Sequence, residues 1–379
     1  MTSEKSGLVG LAMKEGPFIA GAITTAIFLL YGKVWLADLS NPLLTFVLFG
    51  WLFLAMLWGA FGVVRHADCL AELLGEPYGT LILTVAVITI EVALISAIML
   101  TGNETPELAR DTMMAVIMIV LNLMIGLALL LGGLRHREQV FNFAGARAYI
   151  GVIIPLATLT LIMPNFTHST VTPTLTAFQS IFFAGLTVLL YATFLGIQTI
   201  RHQGYFMQPS ELADGSLAED DGSHGHHKPV NTPFHAIMLV LTLLPIVLLS
   251  KKLAVLVDYG TAQLGAPAAL GGVLVAILVL APEGLAALEA ASQNKLQRSV
   301  NICLGSALAT ISLTVPAVVI IGLVTGDPVV LGLDATETVL LCLTLLMSIV
   351  TFGANRTTML QGMSHFVVFV AYMVLLFDP

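Results

Sequence analysis

Residues 81–100 read LILTVAVITIEVALISAIML, and residues 271–290 read GGVLVAILVLAPEGLAALEA. Each stretch is apolar and long enough to cross ~30 Å of hydrocarbon as a helix. Each also carries one acidic residue near its middle, Glu91 in the first and Glu283 in the second. A charged group at membrane depth is costly, so it usually indicates a functional site. Because the two residues come from different halves of the chain, we expect the halves to converge on one cation.

The rest of the composition is also that of an integral membrane protein. The chain has 379 residues, of which 57% are hydrophobic and 10% are charged, and its mean hydropathy is +0.96. Soluble domains carry roughly 25% charged residues. The three cysteines show no metal-ligand spacing, and the chain has no basic patch that would indicate a nucleic-acid partner. The expected partner is the lipid bilayer, and no bound cofactor is expected.

Apolar segments separated by turn residues predict an all-α polytopic membrane protein with eleven transmembrane helices. The predicted spans are 17–36, 43–64, 78–101, 111–133, 147–164, 174–200, 233–256, 267–290, 299–324, 334–354 and 359–377.

The distribution of Lys and Arg predicts the orientation of these helices. With the N-terminus inside, eleven of the 15 Lys and Arg residues fall in cytoplasmic segments, which the positive-inside rule favours. The pair Lys251–Lys252 is an exception on the external side. We therefore expect a cytoplasmic N-terminus and an external C-terminus, in a bacterial inner (plasma) membrane.

One long hydrophilic segment divides the chain. Residues 201–232 contain five acidic residues and the sequence SHGHH, and so predict a mobile cytoplasmic linker. Residues 1–42 form a tail and an extra first helix, while 43–200 and 233–379 each form a five-helix repeat. An odd number of helices in each repeat gives the two repeats opposite orientations, as in many secondary transporters.

The local sequence predicts how each carboxylate is presented. Hard cations such as Ca²⁺ take oxygen ligands from carboxylates, carbonyls and water. Pro282 removes a backbone donor beside Glu283, which predicts a break in the helix that exposes carbonyl groups. No Pro or Gly lies beside Glu91, so a break there would depend on Thr89 and its neighbours.

Small and polar residues follow each acidic helix. Aligning Arg110 with Arg298 places Asn122 opposite Thr310. Asn122 either lines the site or packs within the helix bundle. Gly305 and Ser306 present the same alternatives, since small residues also mediate helix packing. His365 either relays protons or is a hydrogen-bonded interface residue.

Four stretches together resemble the ChaA-type calcium/proton antiporters of the cation/calcium exchanger superfamily. They are HADCLAELLGEPYGTLILTVAVITIEVALISAIM (66–99), RDTMMAVIMIV (110–120), LAPEGLAALEA (280–290) and RSVNICLGSALATISLTVP (298–316). The resemblance covers roughly residues 60–379. It implies ten core helices in two inverted repeats plus an extra first helix.

The resemblance also implies roles for individual residues. Glu91 and Glu283 correspond to the acidic ends of the superfamily's two Gly-Asn-Ala-x-Glu signatures, and Gly305–Ser306 matches the pair that usually follows the second signature. This chain departs from the pattern at Ile88–Thr89–Ile90 and at Leu280–Ala281–Pro282, which lie within the stretches where Gly-Asn-Ala-x is usual.

The residues and the resemblance together predict a proton-coupled cation antiporter that exports Ca²⁺ from the cytoplasm. The alternative is an Na⁺(K⁺)/H⁺ antiporter that uses the same carboxylates. The predicted metal-site residues are Glu91, Glu283, Ser306, Asn122, Gly305 and Pro282. The chain lacks the HExxH motif and the paired membrane aspartates of intramembrane proteases, so an enzyme is not expected. A passive channel is the remaining class.

Overall fold

The computed structural model describes residues 15–74, 78–99, 107–170, 173–209, 232–326 and 329–378. Eleven long helices within these ranges are labelled here: α1 Gly16–Leu30, α2 Pro42–Leu74, α3 Tyr78–Met99, α4 Leu108–His136, α5 Phe143–Phe166, α6 Ala177–Arg201, α7 Thr232–Leu264, α8 Ala269–Ser292, α9 Leu296–Thr325, α10 Ala335–Thr351 and α11 Met359–Phe377. Two short strands, β1 Glu138–Val140 and β2 Arg356–Thr358, pair in antiparallel fashion.

The prediction of an all-α polytopic membrane protein is confirmed. Eight of the described helices are long and apolar enough to cross a bilayer, and α1, α10 and the 85–96 part of α3 are shorter apolar helices. The number of eleven spans stays a prediction. Helix α2 continues ten residues beyond its predicted end at 64, because Ala, Leu and Glu after Arg65 are good helix formers.

The chain forms two compact units. The first consists of residues 1–104 and 227–271, in which α7 packs along α2 and also contacts α1 and α3. An ion cluster joins three segments of this unit. Glu15 lies 2.8 Å from the Arg65 guanidinium and 3.0 Å from the Nε2 of the buried His66, while His66 Nδ1 lies 3.0 Å from His235 Nδ1.

The second unit consists of residues 105–226 and 272–379. Within this unit, helices α4 and α9 make equivalent contacts with other helices. The first half of α4 contacts α10, and the first half of α9 contacts α5. The second half of α4 packs on α11, and the second half of α9 packs on α6. Each of the two helices thus contacts helices of the other repeat, as expected of two structurally equivalent repeats in which α4, α5 and α6 correspond to α9, α10 and α11.

One end of the second unit gathers several connecting segments. Gln139 donates to the Ala291 carbonyl at 2.9 Å, and β1 pairs with β2. The segment after α6 also docks here. Residues Gln203–Phe206 form a 3-10 turn, and Asn142 Nδ2 donates to the Gly204 carbonyl at 3.0 Å.

The predicted linker therefore starts too early. Helix α6 continues to Arg201, and the segment that follows packs on the second unit. The Phe206 ring is buried, with its centroid 5.4 Å from that of Tyr149 and 5.7 Å from that of Phe194. Asn301 Nδ2 donates to the Phe206 carbonyl at 2.7 Å. One aromatic ring and two amides that bind its backbone hold this segment against the second unit. Residues 210–231 lie outside the described residues.

Candidate functional site

Glu283 lies on α8 in the second unit, with its side chain buried among the helices (9% exposed). The predicted helix break at Pro282 is wrong, because α8 runs as a continuous α-helix from Ala269 to Ser292. Proline still has no N–H, so the carbonyl of Leu278 receives no hydrogen bond from position 282. The helix thus loses one backbone bond on the turn before Glu283 without losing its form, since the neighbouring helices hold it.

Helix α8 runs beside α4 in the same direction. A Cβ at Gly272 would lie 2.8 Å from the backbone nitrogen of Thr112, and one at Gly284 would lie 3.6 Å from the Met124 side chain. Twelve residues separate the two contacts on each helix, which corresponds to about 18 Å of axial rise. Glu283 is therefore level with the Asn122–Met124 part of α4.

The same part of α4 is a π-helical turn, Ile119–Met124. A second π turn, Thr310–Thr314, lies in α9. Asn122 and Thr310, which the sequence aligns through their preceding arginines, lie in these two turns. The first half of each helix contacts the π turn of the other. Because π turns rearrange the backbone hydrogen bonds and are frequent at functional sites, this crossing is the best-defined candidate region of the second unit.

The Asn122 side chain is buried and already engaged. Its Nδ2 donates to Thr344 Oγ1 at 2.8 Å, and its Oδ1 lies 3.1 Å from His365 Nδ1. The amide thus faces α10 and α11, whereas Met124, two residues further on, faces α8. Asn122 thus lies at about the depth of Glu283, but its amide points to another side of α4, and the choice between lining the site and packing stays a prediction.

Helix α9 brings its Gly305–Ser306 pair into the same unit. Cys303 lies close enough to the Glu283 carboxylate for an electrostatic interaction. Ser306 is one helical turn further, on the same face of α9 as Cys303, and is partly exposed. A Cβ at Gly305 would lie 3.6 Å from the Tyr149 hydroxyl, which accepts a 2.9 Å hydrogen bond from Gln198. Gly305 therefore allows close packing, and Ser306 offers an oxygen.

Glu91 lies in the first unit, on α3. Its side chain is 1% exposed. The Thr89 hydroxyl donates to the Val85 carbonyl at 2.6 Å on its own helix, and α3 is continuous from Tyr78 to Met99. The helix break that we considered at Thr89 is therefore absent within the described part of α3. Among all residues that the structure describes, no three His, Cys, Asp or Glu side chains gather in a metal-binding group, so a cation held there would also need hydroxyl, carbonyl or water ligands.

A charged cluster that the sequence did not predict lies at the other end of the second unit, away from β1 and β2. Arg110 lies 2.8 Å from Asp111 and 3.8 Å from Glu337, and it also donates to the Gly332 carbonyl. Both carboxylates are buried. The pairing of Arg110 with its neighbour was visible in the sequence, but its contact with Glu337, 227 residues away, was not.

Comparison with known proteins decides the family. The model of the sodium/calcium exchanger protein family matches residues 44–200 and 234–377. The chain belongs to the sodium/calcium exchanger family. The predicted membership in the cation/calcium exchanger superfamily is confirmed, and the family consists of secondary transporters, not enzymes.

Two relatives and one solved structure illustrate the family's range. The sodium-potassium/proton antiporter ChaA of Escherichia coli (strain K12) is 40% identical over 330 residues, which are 86% of this chain and 87% of that protein. The Ca(2+)/H(+) antiporter of Aphanothece halophytica is 25% identical over 264 residues, 68% of this chain and 70% of that protein. The structure of native YfkE has a TM-score of 0.72 at 20% identity and covers 96% of this chain and 100% of its own. The fold of that structure thus extends over almost the whole chain.

Proposed function

We propose that this protein is a proton-coupled cation antiporter that exchanges Ca²⁺ for H⁺ and exports Ca²⁺ from the cytoplasm. The observation that carries the proposal is the position of Glu283. Its carboxylate is buried on an apolar helix, level with the π turn of α4 and beside α9. The name of the Aphanothece halophytica relative, a Ca(2+)/H(+) antiporter, supports the choice of ion.

The proposed chemistry is a competition between a cation and protons. An ionised carboxylate away from water is costly, and either a proton or a bound cation removes most of that cost. A carboxylate of this kind is therefore occupied by one or the other in every state. Alternate exposure of the occupied site to the two sides of the membrane would then couple cation export to proton entry.

Glu91 and Glu283 are the proposed binding carboxylates. Their joint action on one cation stays the prediction that the sequence makes. Ser306 would supply a hydroxyl oxygen on the face of α9 near Glu283, and Gly305 would allow α9 to approach. Pro282 would supply, through the carbonyl of Leu278, a backbone oxygen on the turn before Glu283.

Asn122 has a different proposed part. Its Nδ2 and one lone pair of its Oδ1 are taken by Thr344 and His365. Because the amide points away from the side of α4 that faces α8, a direct contact of Asn122 with the cation stays the prediction that the sequence makes. The hydrogen bonds would meanwhile hold the π turn of α4 in shape.

An Na⁺(K⁺)/H⁺ antiporter is the second candidate. The relative that is 40% identical is named a sodium-potassium/proton antiporter. In addition, the apolar residues Ile88 and Leu280 lie three positions before the two glutamates, where the signature has its asparagine. Fewer oxygen ligands favour a cation that needs less charge compensation.

The proposed setting is a bacterial inner membrane with a cytoplasmic N-terminus and an external C-terminus. One end of the second unit gathers β1, β2 and the segment after α6. If successive helices cross the membrane in alternate directions, all of these connections lie on the cytoplasmic side. The proposed organisation is completed by five-helix repeats at 43–200 and 233–379, an extra helix within 1–42, and a linker of which 210–231 remain.

The test is ion exchange in proteoliposomes that contain the purified protein and a trapped pH-sensitive dye. An imposed pH gradient should be dissipated on addition of CaCl₂ in the wild type, and by less than a tenth as much in Glu283→Gln. Glu289→Gln is the matched control, because Glu289 is an exposed carboxylate on the same helix. Dissipation by NaCl or KCl but not by CaCl₂ would select the second candidate. A conductance without any coupling to protons would contradict both.

A further inference from the structure

A chain of buried side-chain hydrogen bonds crosses the second unit. Thr351 Oγ1 lies 2.9 Å from His365 Nε2, and His365 Nδ1 lies 3.1 Å from Asn122 Oδ1. Asn122 Nδ2 then donates to Thr344 Oγ1 at 2.8 Å. All four residues are 2% exposed or less. The chain therefore ties α10 and α11 to the π turn of α4.

The hydrogen-bonding groups fix where the proton on His365 lies. Asn122 Oδ1 can only accept, so His365 Nδ1 must carry a proton and donate it. The neutral ring then leaves Nε2 as an acceptor for the Thr351 hydroxyl. Every polar atom of the chain has a partner when His365 is neutral, which is the favourable state for a buried polar network.

Two glycines allow α4 and α11 to approach each other closely beside His365. A Cβ at Gly362 would lie 2.6 Å from the backbone nitrogen of Leu130, and one at Gly126 would lie 3.0 Å from that of Phe366. The backbones of α4 and α11 are thus in direct contact on both sides of His365 along α11. This contact sets the imidazole against Asn122.

The same π turn reaches α8. Met124 ends the turn, and its side chain is the nearest neighbour of the space beside Gly284. Gly284 directly follows Glu283. A change in the shape of the π turn would therefore shift the packing next to the proposed binding carboxylate.

We propose that His365 is a positioning residue for cation binding: through its hydrogen bond to Asn122 it fixes the π turn of α4, which packs beside Glu283. This inference rests on the proposed function. His365 does not touch the cation in this account, and it carries no proton across the membrane.

The test compares two amide replacements in the proteoliposome assay, with the apparent KM for Ca²⁺ and the Vmax measured separately. In His365→Asn the amide nitrogen is attached to Cγ, as Nδ1 is, so the bond to Asn122 is kept and KM should stay within about twofold of the wild type. In His365→Gln the amide is one bond further from the backbone, so the bond is lost and KM should rise at least fivefold. A purely structural role would lower Vmax, through loss of folded protein, and leave KM unchanged.

A double-mutant comparison tests whether His365 acts through Asn122. In an Asn122→Leu background, His365→Gln should change KM by less than twofold, because the partner is already gone. Ser348→Ala is the matched control, since Ser348 is buried on α10 but donates only to its own helix, at the Thr344 carbonyl. If His365→Gln does not fold, Thr344→Val is the substitute variant. It removes the hydroxyl that accepts from Asn122 Nδ2 and should likewise raise KM.

Three results would overturn the proposal: a KM in His365→Gln (or in the substitute Thr344→Val) within twofold of the wild type, a His365→Asn variant with the same KM as His365→Gln, or an undiminished effect of His365→Gln in Asn122→Leu. Failure of the proposed function is a separate outcome, because a folded wild type would then exchange no cation at all. Wild-type exchange with unaltered KM in the variants would remove only the role of His365.

Discussion

The contact between α4 and α11 can be tested by adding a single methyl group. In Gly362→Ala the new Cβ would lie 2.6 Å from the Leu130 nitrogen and 2.8 Å from the Gly126 carbonyl oxygen, where ordinary contact begins at 3.4 Å. Both neighbours are backbone atoms of a helix and cannot rotate away. The helices must therefore separate by about 0.6–0.8 Å, and overpacking of this kind typically costs about 2 kcal/mol.

The separation should also break a hydrogen bond. The distance from His365 Nδ1 to Asn122 Oδ1 is 3.1 Å. A further 0.6–0.8 Å takes the pair beyond about 3.5 Å, where no useful hydrogen bond remains. We therefore expect Gly362→Ala to lower the Tm by roughly 5 °C and to raise the apparent KM for the cation as His365→Gln does.

The assay for unfolding should report on the second unit specifically. All three tryptophans lie in the first unit, at positions 35, 51 and 58, whereas Cys303 is fully buried in α9. Labelling of Cys303 by a thiol-reactive fluorophore on heating, with Cys69 and Cys342 replaced by serine, follows the unfolding of this unit.

Gly185→Ala is the matched control for this substitution. A Cβ at Gly185 of α6 would meet nothing within 4 Å. Because alanine favours a helix over glycine by roughly 0.5–1 kcal/mol, its Tm should equal or exceed that of the wild type. A Tm for Gly362→Ala within one degree of that for Gly185→Ala would refute the reasoning from backbone contact.

Three further predictions concern other parts of the chain. Glu91→Gln should reduce exchange below a tenth of the wild type, a change of about 1.4 kcal/mol or more, and larger residual transport by a folded variant would contradict its role. Deletion of residues 211–227 should leave exchange working, and its complete loss in a folded protein would show that the segment is essential. Phe206→Ala should lower the Tm of Cys303 labelling, because removal of a buried ring costs about 3 kcal/mol of stability, and an unchanged Tm would argue against the docking of this segment.

The fold was largely predictable because its main signal is length and polarity. Apolar stretches of about 20 residues predict membrane helices, and their bounds mostly agree with the structure. Helices α2 and α7 are exceptions, because each continues past its predicted end. A charge marks the edge of an apolar stretch, but the helix ends only where helix-forming residues end, so α2 continues past Arg65 to Leu74.

The π turns could not be predicted in the same way. Residues 119–124 read IVLNLM, without proline or glycine, and nothing in their spacing distinguishes a π turn from an α-helix. Pro282 misled in the opposite direction, since it predicts a break that packing suppresses. The local sequence favours or disfavours a helix by a few kcal/mol, and packing against the surrounding helices determines which backbone conformation forms.

The polar network around Asn122 depends on contacts over long sequence separations. Asn122 meets His365 and Thr344, 243 and 222 residues away. The sequence marked Asn122 as an unusual amide and His365 as a candidate interface residue. It gave no means of pairing them, because the repeat alignment relates equivalent positions and not residues in contact.

The competition between cation and protons at one site can be measured directly by isothermal titration calorimetry of the detergent-solubilised protein with Ca²⁺. Repeating the titration in buffers of different ionisation enthalpy gives the number of protons released on binding. The account predicts release of at least one proton for each Ca²⁺ bound by the wild type, unchanged release in Glu289→Gln, and neither binding nor release in Glu283→Gln. Binding of Ca²⁺ without proton release, or equal binding by Glu283→Gln, would contradict it.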